Sequence, residues 1–206
     1  MYARSTTVRG DAGRVDQLIA YAREEALPAL QRMSGNVGLS LLADRDSGRC
    51  ILTSAWADDT SMHATEQTVA DIRSRAAEII GGEHEAHAWE IAVLHRAHLG
   101  HDGARTRVVW SEGDPARIDE NLTVFRTTML PRIEELPGFC SVSLLVDRET
   151  GRSALAVTHD CRADVEKATE AGLALQQEFY AATGERMADV ADFDLVLHQL
   201  RVPETV

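Results

Sequence analysis

The chain has 206 residues, of which 44% are hydrophobic and 26% charged, the balance of a folded globular protein with room for one large domain or two small ones. Its 33 acidic residues against 21 Lys and Arg give a formal net charge of -12. Nucleic-acid backbones, which need clustered cations to displace counterions, are therefore excluded as partners. No apolar run approaches the roughly 20 residues of a membrane span, and the opening MYARSTTV lacks the build of a secretion signal. A cytoplasmic location with no membrane partner is the expectation. Cys50, Cys140 and Cys161 are odd in number and lack metal-type spacing, the pattern of buried reduced thiols.

In chain order, the first element is a short β-branched strand, Ala3 to Val8. Asp11 then stands as a helix N-cap, and Val15, Ile19, Ala22, Ala26 and Leu30 recur at helical spacing behind it. Pro28 falls near the helix end, where it is expected to kink or stop the helix. The stretch from Gly35 to Arg49, GNVGLSLLADRDSGR, reads as a strand and a polar turn leading into a second strand that ends at Trp56. Gly48 supplies the positive φ that the turn requires. A second helix follows, capped by Asp58 or Asp59, with Val69, Ile72, Ala76, Ile79 and Ile80 on one side. A strand from Ala88 to Arg96 closes the unit.

The whole order then repeats. Gly138 to Arg152, GFCSVSLLVDRETGR, matches the earlier stretch at eight of fifteen positions with an offset of 103. Chance would give roughly one match in such a window. At the same offset, Asp11 matches Asp114, Leu27-Pro28 matches Leu130-Pro131, and Val93-Leu94-His95 matches Val196-Leu197-His198. The second copy offers the strand Thr106 to Trp110 and a helix face of Ile118, Leu122, Phe125, Met129 and Ile133. A helix with a looser stripe, Leu173, Leu175, Phe179 and Ala182, comes next, then a strand from Phe193 to Leu200. Each copy runs strand, helix, strand, strand, helix, strand, the ferredoxin-like arrangement. The expected organisation is thus a first repeat at 1–96, a linker at 97–104 and a second repeat at 105–206. The class is α+β, with two antiparallel four-stranded sheets facing each other as an α+β barrel.

The pair Leu130-Pro131, the Pro137-Gly138-Phe139 turn, the hairpin after it, and the strand ending in Trp56 ahead of an acidic helix start resemble the dimeric α+β barrel superfamily. The likeness is to its antibiotic biosynthesis monooxygenase branch, here in tandem. That resemblance implies a barrel closed within one chain or between two chains of a homodimer, and a small organic ligand. It implies no cofactor. It also marks the third-strand end as a place for chemistry, occupied by Trp56 in one copy and His159 in the other. The Asn and His that accompany haem degradation in that superfamily are missing from the corresponding positions. Two functions follow as expectations: a small-molecule-binding barrel protein, or a cofactor-independent monooxygenase acting on an aromatic or polyketide-like substrate.

Trp56 offers a large face and an N–H for an aromatic ligand, and the alternative is plain core packing. His159 and His198 are candidate bases, since an imidazole titrates near neutrality. His95, which repeats as His198, and the shared Ser40 and Ser143 are candidate lining residues. His84, His87, His95, His98 and His101 raise the question of a metal. On a strand, three-residue spacing alternates faces, so only a turn in the linker joins them, and no metal site is expected. Nucleophile elbows, P-loops and dinucleotide fingerprints are absent from the sequence.

Overall fold

The computed structural model describes residues 1–205. The first copy contributes strands β1 (Tyr2–Arg9), β2 (Asn36–Asp44), β3 (Arg49–Trp56) and β4 (Glu83–Arg96), and helices α1 (Val15–Tyr21), α2 (Leu27–Gln31), α3 (Asp59–Ala64) and α4 (Glu66–Ile80). The second contributes β5 (Arg105–Glu112), β6 (Phe139–Asp147), β7 (Arg152–His159) and β8 (Arg186–Leu200), with α5 (Ile118–Val124), α6 (Leu130–Glu134) and α7 (Arg162–Thr183). The order of hydrogen-bonded neighbours closes on itself, β1-β3-β2-β8-β5-β7-β6-β4, the strand order of a closed barrel. The fold is α+β, with two ferredoxin-like repeats.

Two compact units make up the chain. One is Met1–Trp89 with Phe193–Val202, and the other is Glu90–Asp192 with the residues from Pro203 onward. Strands β4 and β8 are each divided: the second half of β8 pairs with β2 in the first unit, and the second half of β4 pairs with β6 in the second. Both strands begin earlier than their apolar stretches suggest. The leading residues of β4, Glu83 to Glu85, are exposed and polar, so their place is set by backbone pairing, which hydrophobic pattern does not report. Ala97 to Ala104 forms neither helix nor strand.

Within each unit the sequence dictates the local structure closely. Asp11 accepts a hydrogen bond from the Gly13 N–H at 2.9 Å, and Asp114 does the same for Ala116 at 2.9 Å, opening the two first helices with a 3-10 turn. The apolar positions behind those caps are all buried, Val15 to Leu30 in one core and Ile118 to Ile133 in the other. Of the two outcomes expected of the prolines, a kink or a stop, the stop does not occur. Neither Pro28 nor Pro131 ends its helix, because a π-turn precedes each one, at Ala22–Ala26 and Phe125–Met129. There the Leu27 N–H donates to the Ala22 carbonyl and the Leu130 N–H to Phe125, one residue beyond the α-helical partner. The extra residue absorbs the ring that an α-helical turn would drive into the carbonyl four residues back.

Gly48 and Gly151 have φ of 72° and 74°, as the hairpin turns require. A Cβ at either would also strike a backbone oxygen, that of Gly10 at 2.2 Å or Gly113 at 2.1 Å. The repeated Gly-Asp pairs and the repeated turn glycines are thus one packing contact made twice. Helix α7 corrects the stripe expected for it: Leu173 is half exposed and Ala182 is exposed, while Val165, Ala168 and Leu175 are buried. The inward-facing series runs through half-buried Gly172, whose missing side chain hid the period. Cys50 and Cys140 are buried, as expected of reduced thiols, and burial pushes the Cys50 thiol up to about 11. Cys161 is exposed instead, because it starts α7 where the first copy has the cap Asp58.

Candidate functional site

In the second unit a cavity of about 490 Å³ lies between the helices and the strands β5, β6, β7 and the first half of β8. Such a volume is in the range of small-molecule sites. The alternation of a strand aims Arg107, Val109 and Ser111 of β5 to one side, and the register Arg107↔Val157, Val109↔Leu155, Ser111↔Ser153 sets matching β7 residues beside them. Four residues of strand separate Arg107 from Ser111, about 13 Å. The cavity consequently has two polar ends and an apolar middle, walled by Leu122, Phe125, Leu144, Leu155 and Phe179.

At one end Arg107 is fixed. Its Nε and Nη2 donate to the two carboxylate oxygens of Asp192 at 2.7 and 2.8 Å, and its Nη1 donates to Thr169 Oγ1 at 3.1 Å. The Asp192 hydrogen bonds, ahead of the opposing effect of burial, raise the pKa of this guanidinium. His159 lines the same cavity near that end and is almost fully buried. Its Nδ1 is 2.8 Å from the Pro137 carbonyl oxygen, which can only accept. Nδ1 therefore carries the proton and, in the neutral ring, Nε2 carries the lone pair.

The other end is a network of polar side chains. Ser111 Oγ and Tyr180 OH are 2.7 Å apart, and Gln176 Nε2 donates to the same phenol oxygen at 2.9 Å. Asn121 Nδ2 donates to Glu185 Oε1 at 2.9 Å, and Ser153 Oγ donates to Glu185 Oε2 at 3.4 Å. Burial raises the pKa of the Glu185 carboxyl, outweighing the hydrogen bonds from Asn121 and Ser153. Asn121 is 5% exposed, and its buried Oδ1 accepts no hydrogen bond. An orphaned acceptor at a cavity wall is a place for a ligand's donor.

The residues singled out from sequence are dispersed. Trp56 is completely buried in the first unit's core with Met62 and Val69, and its Nε1 donates to Ser54 Oγ at 3.2 Å. His198 is exposed on β8 opposite Ser40, also in the first unit. In the second unit, His95 contacts Glu134 and Glu204 at 3.3 and 3.2 Å and stacks on Phe139, while Ser143 pairs with Leu94. Of the six candidates, His159 alone lines this cavity. Arg107, Asn121, Glu185 and Tyr180 were not anticipated. For three of them the signal lies in comparing the copies: at the 103 offset Asn121, Glu185 and Tyr180 stand where the first copy has Leu18, Gly82 and Ala77, whereas Arg107 matches Arg4.

The chain is 42% identical to the Mycobacterium tuberculosis H37Rv protein Rv2557 over 206 residues, covering 100% of this chain and 92% of that one. It is equally identical to Rv2558 of the same strain over 207 residues, covering 88% of it. It belongs to their family. Both relatives carry the description uncharacterized protein, and no protein-family model matches the chain.

Solved structures agree on the fold. A Fusobacterium nucleatum protein described as a candidate monooxygenase superposes with a TM-score of 0.68 at 12% identity, covering 100% of this chain and 95% of that one. An anthrone oxidase-like protein gives 0.64 at 13% identity, covering 94% and 90%. A Listeria monocytogenes ferredoxin-fold protein related to antibiotic biosynthesis monooxygenases gives 0.54 at 11%, with 94% of each chain covered. The fold of this family is thus that of the tandem antibiotic biosynthesis monooxygenase-like proteins. Among the described residues, no helix is long and apolar enough to cross a membrane.

Proposed function

We propose that the second unit is a receptor for a small, largely apolar organic molecule with a hydrogen-bond donor at one end. The observation that carries this reading is the orphaned Oδ1 of Asn121 at the wall of an apolar cavity of about 490 Å³. A hydroxyl or N–H group reaching that oxygen satisfies it, and the Glu185 carboxyl beside it accepts further donation. Aromatic groups fit the middle, where Phe125 and Phe179 stand edge to face with centroids 6.2 Å apart.

A second reading rests on His159. A neutral imidazole with Nε2 available can take a proton from an activated carbon, and the resulting carbanion can reduce dioxygen without a cofactor. For anthrone the balance is one dioxygen consumed, one anthraquinone and one water formed. The anthrone oxidase-like neighbour motivates that choice of probe and nothing more.

Calorimetric titration with anthrone and 2-naphthol under nitrogen tests the receptor reading, and oxygen uptake in air tests the oxygenase reading. Saturable binding that Gly172→Phe removes supports a receptor, since a Cβ at Gly172 meets nothing within 4 Å and a ring there fills the cavity. Binding unaffected by that substitution, or absent for both probes, overturns it. Uptake that His159→Ala leaves unchanged rules out His159 as base.

A further inference from the structure

The linker that separates the repeats in sequence brings together donors that the spacing of its own histidines does not reveal. One donor atom from each of His98, Cys140 and Asp160 lies within 4.8 Å of the others. His98 Nε2 is 3.2 Å from Asp160 Oδ1, and His101 Nε2 is 3.3 Å from the same oxygen. The two imidazole rings lie nearly parallel, with centroids 6.4 Å apart. All four residues belong to the second unit and none lines the cavity.

The cluster is built by backbone anchoring as well as by side chains. The Ala97 and His98 N–H groups both donate to the Cys140 carbonyl, at 2.9 and 3.4 Å, which pins the start of the linker against β6. The Asp160 N–H donates to the Gly138 carbonyl at 2.8 Å, pinning the end of β7 to the residue before β6. A turn closed by the Ala104 N–H on the His101 carbonyl at 3.1 Å brings the second histidine round. The backbones of His98 and Asp160 are thus tied within two residues of Cys140, and little ordering of these three ligands is left for an ion to impose. The Cys140 sulfur is buried at the base of the cluster while the imidazoles and the carboxylate are partly exposed, which leaves an entry path from solvent.

We propose that His98, Cys140 and Asp160, with His101 as fourth ligand, form a binding site for a zinc-class divalent cation. Imidazole, thiolate and carboxylate together select a borderline-soft tetrahedral ion, whereas magnesium and calcium take oxygen ligands. Binding breaks the Cys140 S–H bond, forms a metal–sulfur bond and releases that proton to solvent, while the imidazoles bind in neutral form. The bound ion ties the linker to β6 and β7, which gives the site a structural role.

The test uses full-length protein freed of any affinity tag and stripped with EDTA, then titrated with Co²⁺ and back-titrated with Zn²⁺. The expected result is one Co²⁺ per chain, ligand-field absorption of tetrahedral intensity, a sulfur-to-cobalt charge-transfer band, and loss of both on adding Zn²⁺. Cys140→Ser removes the charge-transfer band. His98→Ala and Asp160→Asn, both at partly exposed side chains, cost more than the roughly 10–100-fold that losing an outer-shell partner costs. His101→Ala weakens binding and keeps the sulfur band. Should Cys140→Ser fail to fold, the band is measured in Cys161→Ser, which lacks the one exposed thiol among the described residues: a band that persists there keeps the sulfur in this cluster, and a band lost there overturns the proposal. Absence of a sulfur band in the wild-type protein, or equal affinity in the His98→Ala/Asp160→Asn double variant, overturns the proposal.

Discussion

The two repeats share a fold and differ in how they use the space between helices and strands. In the first, Val8, Leu18, Trp56 and Ile80 are completely buried, and Val69 is nearly so. At the 103 offset the second repeat has Ser111, Asn121, His159, Thr183 and Gly172. Every one of these is more polar or smaller than its counterpart, and four of the five line the cavity. The change at Glu185 goes the other way in size: its counterpart Gly82 has no room for a Cβ, which would lie 1.7 Å from the Arg9 oxygen. A duplicated fold thus has one copy packed as a core and one that encloses a cavity. Retained caps and turn glycines hold the two frames alike while the filling differs.

The largest expected effect breaks the comparison on its filled side. Trp56→Ala removes a completely buried indole and its hydrogen bond to Ser54, and destabilises the protein by about 3–5 kcal/mol. His159→Ala, at the equivalent position, borders a cavity and leaves the Pro137 carbonyl without its imidazole donor, for a smaller cost of about 1–3 kcal/mol. Urea denaturation of both variants measures the difference. Equal costs would mean that His159 is as much a packing residue as Trp56.

A second pair of substitutions exchanges the helix positions. Val69→Gly takes a buried side chain from the first core and places glycine within α4, for a combined cost of about 2–4 kcal/mol. Gly172→Ala adds a methyl group where space is open and removes glycine from the interior of α7, for a gain of about 0.5–1 kcal/mol. Thermal unfolding reads both, and opposite signs are the expected outcome. A destabilising Gly172→Ala would show that the cavity wall tolerates no added atom there.

Much of this frame is legible in the sequence. The caps Asp11 and Asp114, the turn glycines and the first helix of each repeat follow from residue chemistry and period, because they are local. The π-turns ahead of Pro28 and Pro131 are not legible, since a proline in a helical pattern is equally consistent with an end or a kink. Nor is the division of β4 and β8 between units, where long-range backbone pairing decides. Trp56 attracted a ligand-binding expectation by residue type and by the resemblance that marks the third-strand end, and its core environment depends on Met62 and Val69 arriving from helices. The donors around Asp160 were hidden by distance, with His98 and Cys140 separated by 42 residues and His101 and Asp160 by 59. The cavity did leave a trace, in the polar or small residues that replace apolar ones between the copies.

The smallest effect sharpens the polar end of the open repeat. Burial raises the Glu185 carboxyl above its ordinary range in the folded chain, so folding favours its protonated form. The sign follows from linkage: a group that binds its proton more tightly when folded contributes most at low pH. That contribution is lost as pH rises from the unfolded pKa through the raised folded one, and stays lost above it. Glu185→Gln has no such proton to release. Its amide oxygen can still accept from Asn121 Nδ2, and its amide nitrogen can donate to Ser153 Oγ. The variant is therefore expected to be more stable than the parent at neutral pH, by a modest margin because Glu185 keeps part of its solvent contact. The margin shrinks to nothing once the solution is acidic enough to protonate the parent in both states. Urea midpoints taken across that pH range check this. A margin independent of pH would mean that the gain comes from hydrogen bonding in the network, with the carboxyl ionising there as freely as in water.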